Sequence, residues 1–235
     1  MIKLGIIGAM ELEIDTLREA LSDVRAVRRA AMTFYEGKLR GLPAVVVQCG
    51  IGKVNAGLCV QVLCDLFGVT HVINTGVAGS LDAELDIGDL VISTDALYHD
   101  VDVTALGYPI GVMPGMGTLS FEADEGMIAC ARAACLRAAA DVRVKTGRVV
   151  SGDQFIADKE RKAFIAQAFE GLCTEMEGAA IAHAARVNGL PFVVIRAISD
   201  KADDSAQMDY PTFERAAAKR SAALVEEMAA DMAKA

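Results

Sequence analysis

The sequence predicts an α/β protein whose sheet is covered by helices on both faces. Three observations carry this. Short apolar runs alternate with longer segments of helical period along the whole chain. The strand-like runs are continuous in Val and Ile rather than alternating with polar residues, as in strands buried on both sides. Glycines punctuate the ends of those runs, at Gly8, Gly50, Gly76 and Gly152.

Taken in order, residues 2–7 read as a buried strand stopped by Gly8. Residues 10–21 follow as a helix, with Leu12, Leu17 and Leu21 apolar and charges between them. Residues 26–40 have the pattern of a hairpin, and 44–49 form another strand. Gly50-Ile51-Gly52 turns that strand into a helix over 53–67. Residues 72–75 read as a strand ended by Gly76-Val77-Ala78-Gly79, and 90–93 as a further strand. An alanine-rich helix spans 123–138 and a strand 145–150. Helices over 159–169 and 176–188, a strand over 192–198 and an amphipathic helix over 213–234 complete the chain. No linker, repeat or shift of composition divides it, so one domain over 1–235 is expected. In such sheets chemistry sits beyond the carboxyl ends of the strands. That rule selects residues 8–13, 50–52, 76–79, 151–156 and 196–200.

Composition narrows the function. The chain has 235 residues, 53% hydrophobic and 23% charged, which excludes disorder. Lys and Arg number 23 against 32 Asp and Glu, a net charge of −9. An acidic chain is a poor non-specific binder of nucleic acid or anionic membrane. Mean hydropathy is high at +0.35, yet no apolar run approaches the roughly 18–20 residues of a spanning helix. Glu11, Glu13 and Asp15 interrupt any signal-peptide core, so a cytoplasmic location is expected. Six cysteines form no CxxC pair and no zinc spacing, and three histidines form no paired site. Reduced thiols and no metal are expected.

Four segments invite chemistry. Gly50-Ile51-Gly52 lacks the third glycine of a dinucleotide fingerprint, so it reads as a tight strand-to-helix turn. Glu11 and Glu13 sit in the first turn of a helix, where the dipole favours acids. Glu11 fits that role, whereas Glu13 fits equally well facing a cleft. Arg196 lies inside a buried strand and needs a carboxylate partner. Alternation puts Arg196, Ile198 and Asp200 on one side. Glu175 and Glu177 read as an acidic turn at the start of an alanine-packed helix, with Gly178 allowing close approach. The loop over 101–117 is rich in Gly and Pro yet apolar. Such a loop should not face water, so it covers a pocket, packs on itself or is buried by a partner subunit.

Together these residues resemble the 5'-methylthioadenosine/S-adenosylhomocysteine nucleosidases, a branch of the purine nucleoside phosphorylase superfamily. The resemblance is carried by residues 5–10, Asn74-Thr75-Gly76, Tyr98-His99-Asp100, residues 102–105, Ser151-Gly152-Asp153, Glu175-Met176-Glu177 and residues 196–200, in the family's order and spacing. It implies a three-layer α/β/α sandwich around a mixed, partly barrel-like sheet, and a homodimer without metal or organic cofactor. It implies hydrolysis of the adenine–ribose bond of 5'-methylthioadenosine and S-adenosylhomocysteine, with 5'-deoxyadenosine a further candidate substrate.

The same resemblance assigns roles. Asp200 matches the acid that protonates departing adenine. Glu13 matches the base that activates water, and Arg196 helps position that water. Glu177 matches the ligand of the ribose hydroxyls, with Met176 beside the sugar. Adenine would lie against Phe155 and Ile156, whose backbone reads its edge. Ser199 belongs to the same pocket, and Tyr210 covers it where the family has phenylalanine. Met10 and Ile51 line the sugar end. Val103, Leu106, Tyr108 and Pro114 match residues that reach across the dimer to the 5'-thioalkyl pocket. Leu106 replaces a more usual phenylalanine, which leaves the choice between methylthio and homocysteinyl groups open. Val77 departs from the serine of some nucleosidases and is given no role. Three rivals remain: a phosphorylase, disfavoured because this chain has Asn74 and Val77 where bacterial phosphorylases carry an arginine and a hydroxyl for phosphate; an aminodeoxyfutalosine hydrolase; and a non-catalytic nucleoside-binding protein, which the presence of Glu13, Glu177 and Asp200 argues against.

Overall fold

The computed structural model describes residues 1–234. The chain runs β1 (Leu4–Gly8), α1 (Glu11–Glu19), β2 (Leu21–Arg29), β3 (Met32–Leu39), β4 (Leu42–Gln48), α2 (Lys53–Phe67), β5 (His71–Ser80) and β6 (Leu90–Tyr98). It continues through β7 (Phe121–Glu122), α3 (Glu125–Ala138), β8 (Val144–Ser151), α4 (Lys159–Phe169), β9 (Cys173–Glu175), α5 (Gly178–Val187), β10 (Phe192–Asp200) and α6 (Ala206–Met232).

All strands join one mixed sheet in the order β10-β6-β8-β9-β5-β1-β4-β3-β2, with β7 on β6. Because β10 also pairs with β5, the five strands β5, β10, β6, β8 and β9 close into a ring. Pairings β5–β10, β6–β8 and β8–β9 are parallel, whereas β10–β6 and β5–β9 are antiparallel. Strands β1 and β4 extend the sheet in parallel from β5, and the β2–β3 hairpin ends it.

The core explains the layers. Along β1, β4 and β10, successive apolar residues enter opposite clusters, as the period of a strand requires. Ile7, Val45, Val47 and Val194 pack with Leu63 of α2 and Ile181 of α5. Ile6, Val46, Val193 and Ile195 pack with Leu17 of α1, Ala131 of α3 and Val225 of α6. A third cluster seats Ile165 and Phe169 of α4 against Leu97 and Val150. Helices therefore cover both faces, and the expected sandwich with a partly barrel-like sheet is what forms. All six cysteines are free, and Cys49, Cys59, Cys135 and Cys173 are buried. No described helix is long and apolar enough to cross a membrane.

Several expected boundaries need correction. β5 does not end at Thr75 but runs through Gly76 and Gly79, so these glycines mark close approach rather than a turn. The hairpin begins at Leu21 and turns at Ala30 and Ala31, both at positive φ (47° and 62°). Its turn thus carries no glycine signal. α5 starts at Gly178, not Met176, because Cys173–Glu175 forms β9. α6 starts at Ala206 and carries Pro211 inside it. Pro211 lies past the first turn, so its ring removes the i→i−4 bond to the Gln207 carbonyl.

Ile195 is fully buried at the centre of β10, where the ring closes. Ile195→Ala should lower unfolding free energy by about 3 kcal/mol in urea titration. A loss below about 1 kcal/mol would contradict a tightly packed ring at that point.

Candidate active site

A cavity of about 330 Å³ opens at the carboxyl ends of β1, β5, β9 and β10. Ala9, Met10, Glu13, Ile51, Val77, Phe155, Met176, Glu177, Ser199, Asp200 and Tyr210 are among its walls. The topology brings residues from distant parts of the sequence to one place, as expected for the ends of such strands.

Glu13 lies in the first turn of α1, where the chain leaves β1. It is 4% exposed, while Glu11 faces solvent. Its Oε2 accepts the amides of Ala9 (2.6 Å) and Met10 (3.0 Å), and its Oε1 accepts the amide of Val77 (3.0 Å). Burial pushes its carboxyl above the ordinary value, opposed by Arg196 and these three amides. The side chain presses on β5: a Cβ on Gly76 would stand 2.3 Å from Glu13 Oε1 and 3.0 Å from Arg196 Nη1. Only glycine fits there.

Arg196 has the carboxylate partner its burial demands, and the partner is Glu175. Its Nη2 donates to Glu175 Oε2 and to Asn74 Oδ1. Both side chains are at most 4% exposed. Glu175 is therefore no part of an acidic helix turn. It closes β9 and accepts the amides of Glu177 (3.1 Å) and Gly178 (2.8 Å), capping α5 from outside. Burial would raise its carboxyl, but Arg196, Ser151 and the Gly178 amide hold it below the usual range. Arg196 does not line the cavity. It lies beside Glu13, with its Nη1 and Glu13 Oε1 both against Gly76.

Glu177 opens α5 without capping it, and its Oε1 accepts the amide of Gly52 (2.7 Å). Burial and the neighbouring Glu175 charge push its carboxyl up to about 8. Asp200 closes β10 at 2% exposure. Its Oδ2 accepts the Ser199 hydroxyl (2.9 Å) and its Oδ1 the Ala202 amide (2.8 Å). Burial raises its carboxyl against those two donors, and Asp209 and Asp203 add to the rise. Gly79 is pinned in turn, since a Cβ there would meet Asp200 Oδ1 at 2.7 Å. Gly76 and Gly79 are three residues apart on β5, about 10 Å. Glu13 and Asp200 both line the cavity, each packed on a different glycine of β5.

The rim is apolar. Phe155 and Tyr210 meet edge to face at 5.6 Å, and the Tyr210 hydroxyl donates to Met10 Sδ at 3.0 Å. The segment carrying Phe155 is tied to α2: Asp153 Oδ1 accepts the Lys53 amide (2.9 Å), and Asp100 Oδ2 accepts Lys53 Nζ (2.6 Å).

Of the expected site residues, Glu13, Asp200, Glu177, Met176, Met10, Ile51, Phe155, Ser199 and Tyr210 meet at the cavity. The side chain of Ile156 instead enters the third core cluster, leaving only its backbone for recognition. Val103, Leu106, Tyr108 and Pro114 do not line this chain's cavity. Leu106 is 75% exposed and Tyr108 40% exposed. Two further groups shape the site: Glu175, which closes β9 rather than starting a helix, and Val77, whose amide donates to Glu13, a role no side-chain pattern announces. Among the described residues no group of three His, Cys, Asp or Glu could hold a metal ion.

The family model described as the phosphorylase superfamily matches residues 3–230. A 5'-methylthioadenosine/S-adenosylhomocysteine nucleosidase of Staphylococcus haemolyticus is 39% identical, covering 96% of this chain and 98% of that protein. The crystal structure of such a nucleosidase from Neisseria meningitidis, in complex with methylthio-immucillin-A, superposes with a TM-score of 0.95. It is 41% identical and covers 98% of this chain and all of that one. A futalosine hydrolase of Helicobacter pylori superposes with a TM-score of 0.92 at 35% identity, covering 97% of each chain. The chain belongs to the phosphorylase superfamily, within its 5'-methylthioadenosine/S-adenosylhomocysteine nucleosidase family.

Proposed function

We propose that the chain, as a single nucleosidase domain over 1–235, hydrolyses the N-glycosidic bond of 5'-methylthioadenosine and S-adenosylhomocysteine. The products are adenine and the 5-thio-substituted ribose. One observation carries this reading: buried Asp200, its carboxyl raised by burial, and buried Glu13, held by three backbone amides, line the same cavity. Breaking an N-glycosidic bond builds positive charge on the sugar and negative charge on the leaving purine. Asp200 donates a proton to departing adenine as general acid. Glu13 takes a proton from water attacking the opposite face, the arrangement of an inverting glycosidase. Arg196, beside Glu13, helps position that water. Glu177 binds the ribose hydroxyls, and its ionised form, reached as pH rises through about 8, favours the developing cation. Met176 packs beside the sugar, Met10 and Ile51 close its end, and adenine lies against Phe155 under Tyr210. Ser199 orients Asp200, and the backbone of Ile156 reads the purine edge.

The exposed apolar side chains of Leu106 and Tyr108 support a homodimer in which Val103, Leu106, Tyr108 and Pro114 complete the neighbour's 5'-thioalkyl pocket. Six free thiols support a reducing, cytoplasmic setting, where the products would feed methionine salvage. The likeness to a futalosine hydrolase favours a second reading, hydrolysis of an aminodeoxyfutalosine-type nucleoside by the same machinery.

Purified protein incubated with 5'-methylthioadenosine should release adenine and free methylthioribose at the same rate with and without phosphate. A sugar 1-phosphate appearing only with phosphate would replace hydrolysis by phosphorolysis. No release, with turnover of aminodeoxyfutalosine, would select the second reading. Asp200→Asn should lower kcat about 10²- to 10⁴-fold while still binding adenine. Because the acid works protonated, wild-type kcat/KM should fall as pH rises through the raised Asp200 value. Near-native turnover by Asp200→Asn would exclude Asp200 as the acid. Sedimentation at assay concentration should give a dimer, and an active monomer would remove the cross-subunit role of the 101–117 loop.

A further inference from the structure

The proposed reaction leaves one buried carboxylate of the site without a task. Glu175 is reached from three elements at once. Its Oε2 accepts the amides of Glu177 (3.1 Å) and Gly178 (2.8 Å), together with Arg196 Nη2 from β10. Its Oε1 accepts the Gly178 amide (3.0 Å) and the hydroxyl of Ser151 at the end of β8. Ser151 Oγ in turn accepts the Ala179 amide (2.7 Å), so the knot is locked to the first turn of α5.

A helix cap alone would need none of the contact to Arg196. The guanidinium is the one cation among three buried carboxylates, Glu13, Glu175 and Glu177. Its Nη1 and Glu13 Oε1 both crowd the same point beside Gly76, yet the ion pair that forms is with Glu175. Released from Glu175, the guanidinium has Glu13 as its adjacent partner. A paired Glu13 would hold its charge more strongly and take a proton from water less readily. The other groups that feel Glu13 are Glu177 at the start of α5, Cys49 after β4 and Tyr210 from α6. None of these is a cation that could substitute for Arg196.

We infer that Glu175 is a positioning residue of the reaction: it clamps Arg196 to the start of α5, so that the guanidinium stands beside Glu13 without pairing to it. Glu13 thereby keeps the basicity that activating water requires. The inference rests on the nucleosidase reading above.

The test compares wild type, Glu175→Gln and Glu175→Asp, each assayed for adenine release from 5'-methylthioadenosine across pH and for adenine binding by titration. Glu175→Gln keeps the size and loses the charge. Its kcat should fall about 10- to 100-fold, and the acidic limb of kcat/KM should move down by about one pH unit. Adenine affinity should stay within about twofold, since the purine end is untouched. Glu175→Asp keeps the charge and should leave the limb where wild type has it. An unmoved limb in Glu175→Gln, or an equal shift in Glu175→Asp, overturns the clamp. Should Glu175→Gln fail to fold, Ser151→Ala, which unhooks one oxygen of Glu175, should move the limb the same way by less. An unmoved limb there also overturns it. Wild type that releases no adenine defeats the nucleosidase reading and the clamp with it, whereas active wild type with unmoved variants defeats the clamp alone.

Discussion

Parallel pairing of β10 with β5 sets Arg196 level with Gly76 and brings Asp200 level with Gly79. Every feature of the cavity depends on that register. Glu13 reaches the pair from α1 because Gly76 offers no side chain, and Asp200 packs on Gly79 for the same reason. The irregularity between Ile198 and Asp200 delivers the acid to the end of the strand after Arg196 has been buried beside Glu13. A one-residue slip would exchange the two faces of β10 and send Arg196 into the apolar layer beneath α6. The ring closure is thus a constraint on chemistry as well as on packing.

Electrostatics follow from this enclosure. Three carboxylates and one guanidinium share a space that excludes most water, so each proton affinity is set by its neighbours. Glu175 takes the guanidinium and stays ionised, and its charge in turn discourages ionisation of Glu177. Glu13 is supported by three backbone amides rather than by a cation held in contact. Asp200 has no cation partner, only two donors, and burial dominates. One fold thereby maintains carboxyl groups of the same chemistry in different protonation environments within one cavity.

Much of this was legible in the sequence. Continuous Val and Ile runs located most strands, and the rule that ligands gather at strand ends selected Gly8 to Glu13, Gly76 to Gly79 and Arg196 to Asp200 before any coordinate. Arg196 inside a buried strand announced a carboxylate partner, although not which one. Other features left no trace of their own. β9 is three residues long, too short for any period, so Glu175 looked like the start of a helix. Glycines inside β5 looked like a turn because their reason, the side chains of Glu13 and Asp200, comes from elsewhere in the chain. Pro211 masked the first residues of α6. Periodicity alone left Glu13 between a helix-turn acid and a cleft residue; the family resemblance picked it, and the turn after Gly8 shows why it is the buried one.

The free thiols described with the core carry a further consequence. Cys49 feels the carboxylates of Glu177 and Glu13, and Cys59 and Cys173 are equally enclosed. Burial pushes all three thiols well above their ordinary range. Thiolate is the form that peroxides and electrophiles attack. Cys49, Cys59 and Cys173 thus serve as small apolar filling of the core, poor targets for oxidants in the surrounding solvent.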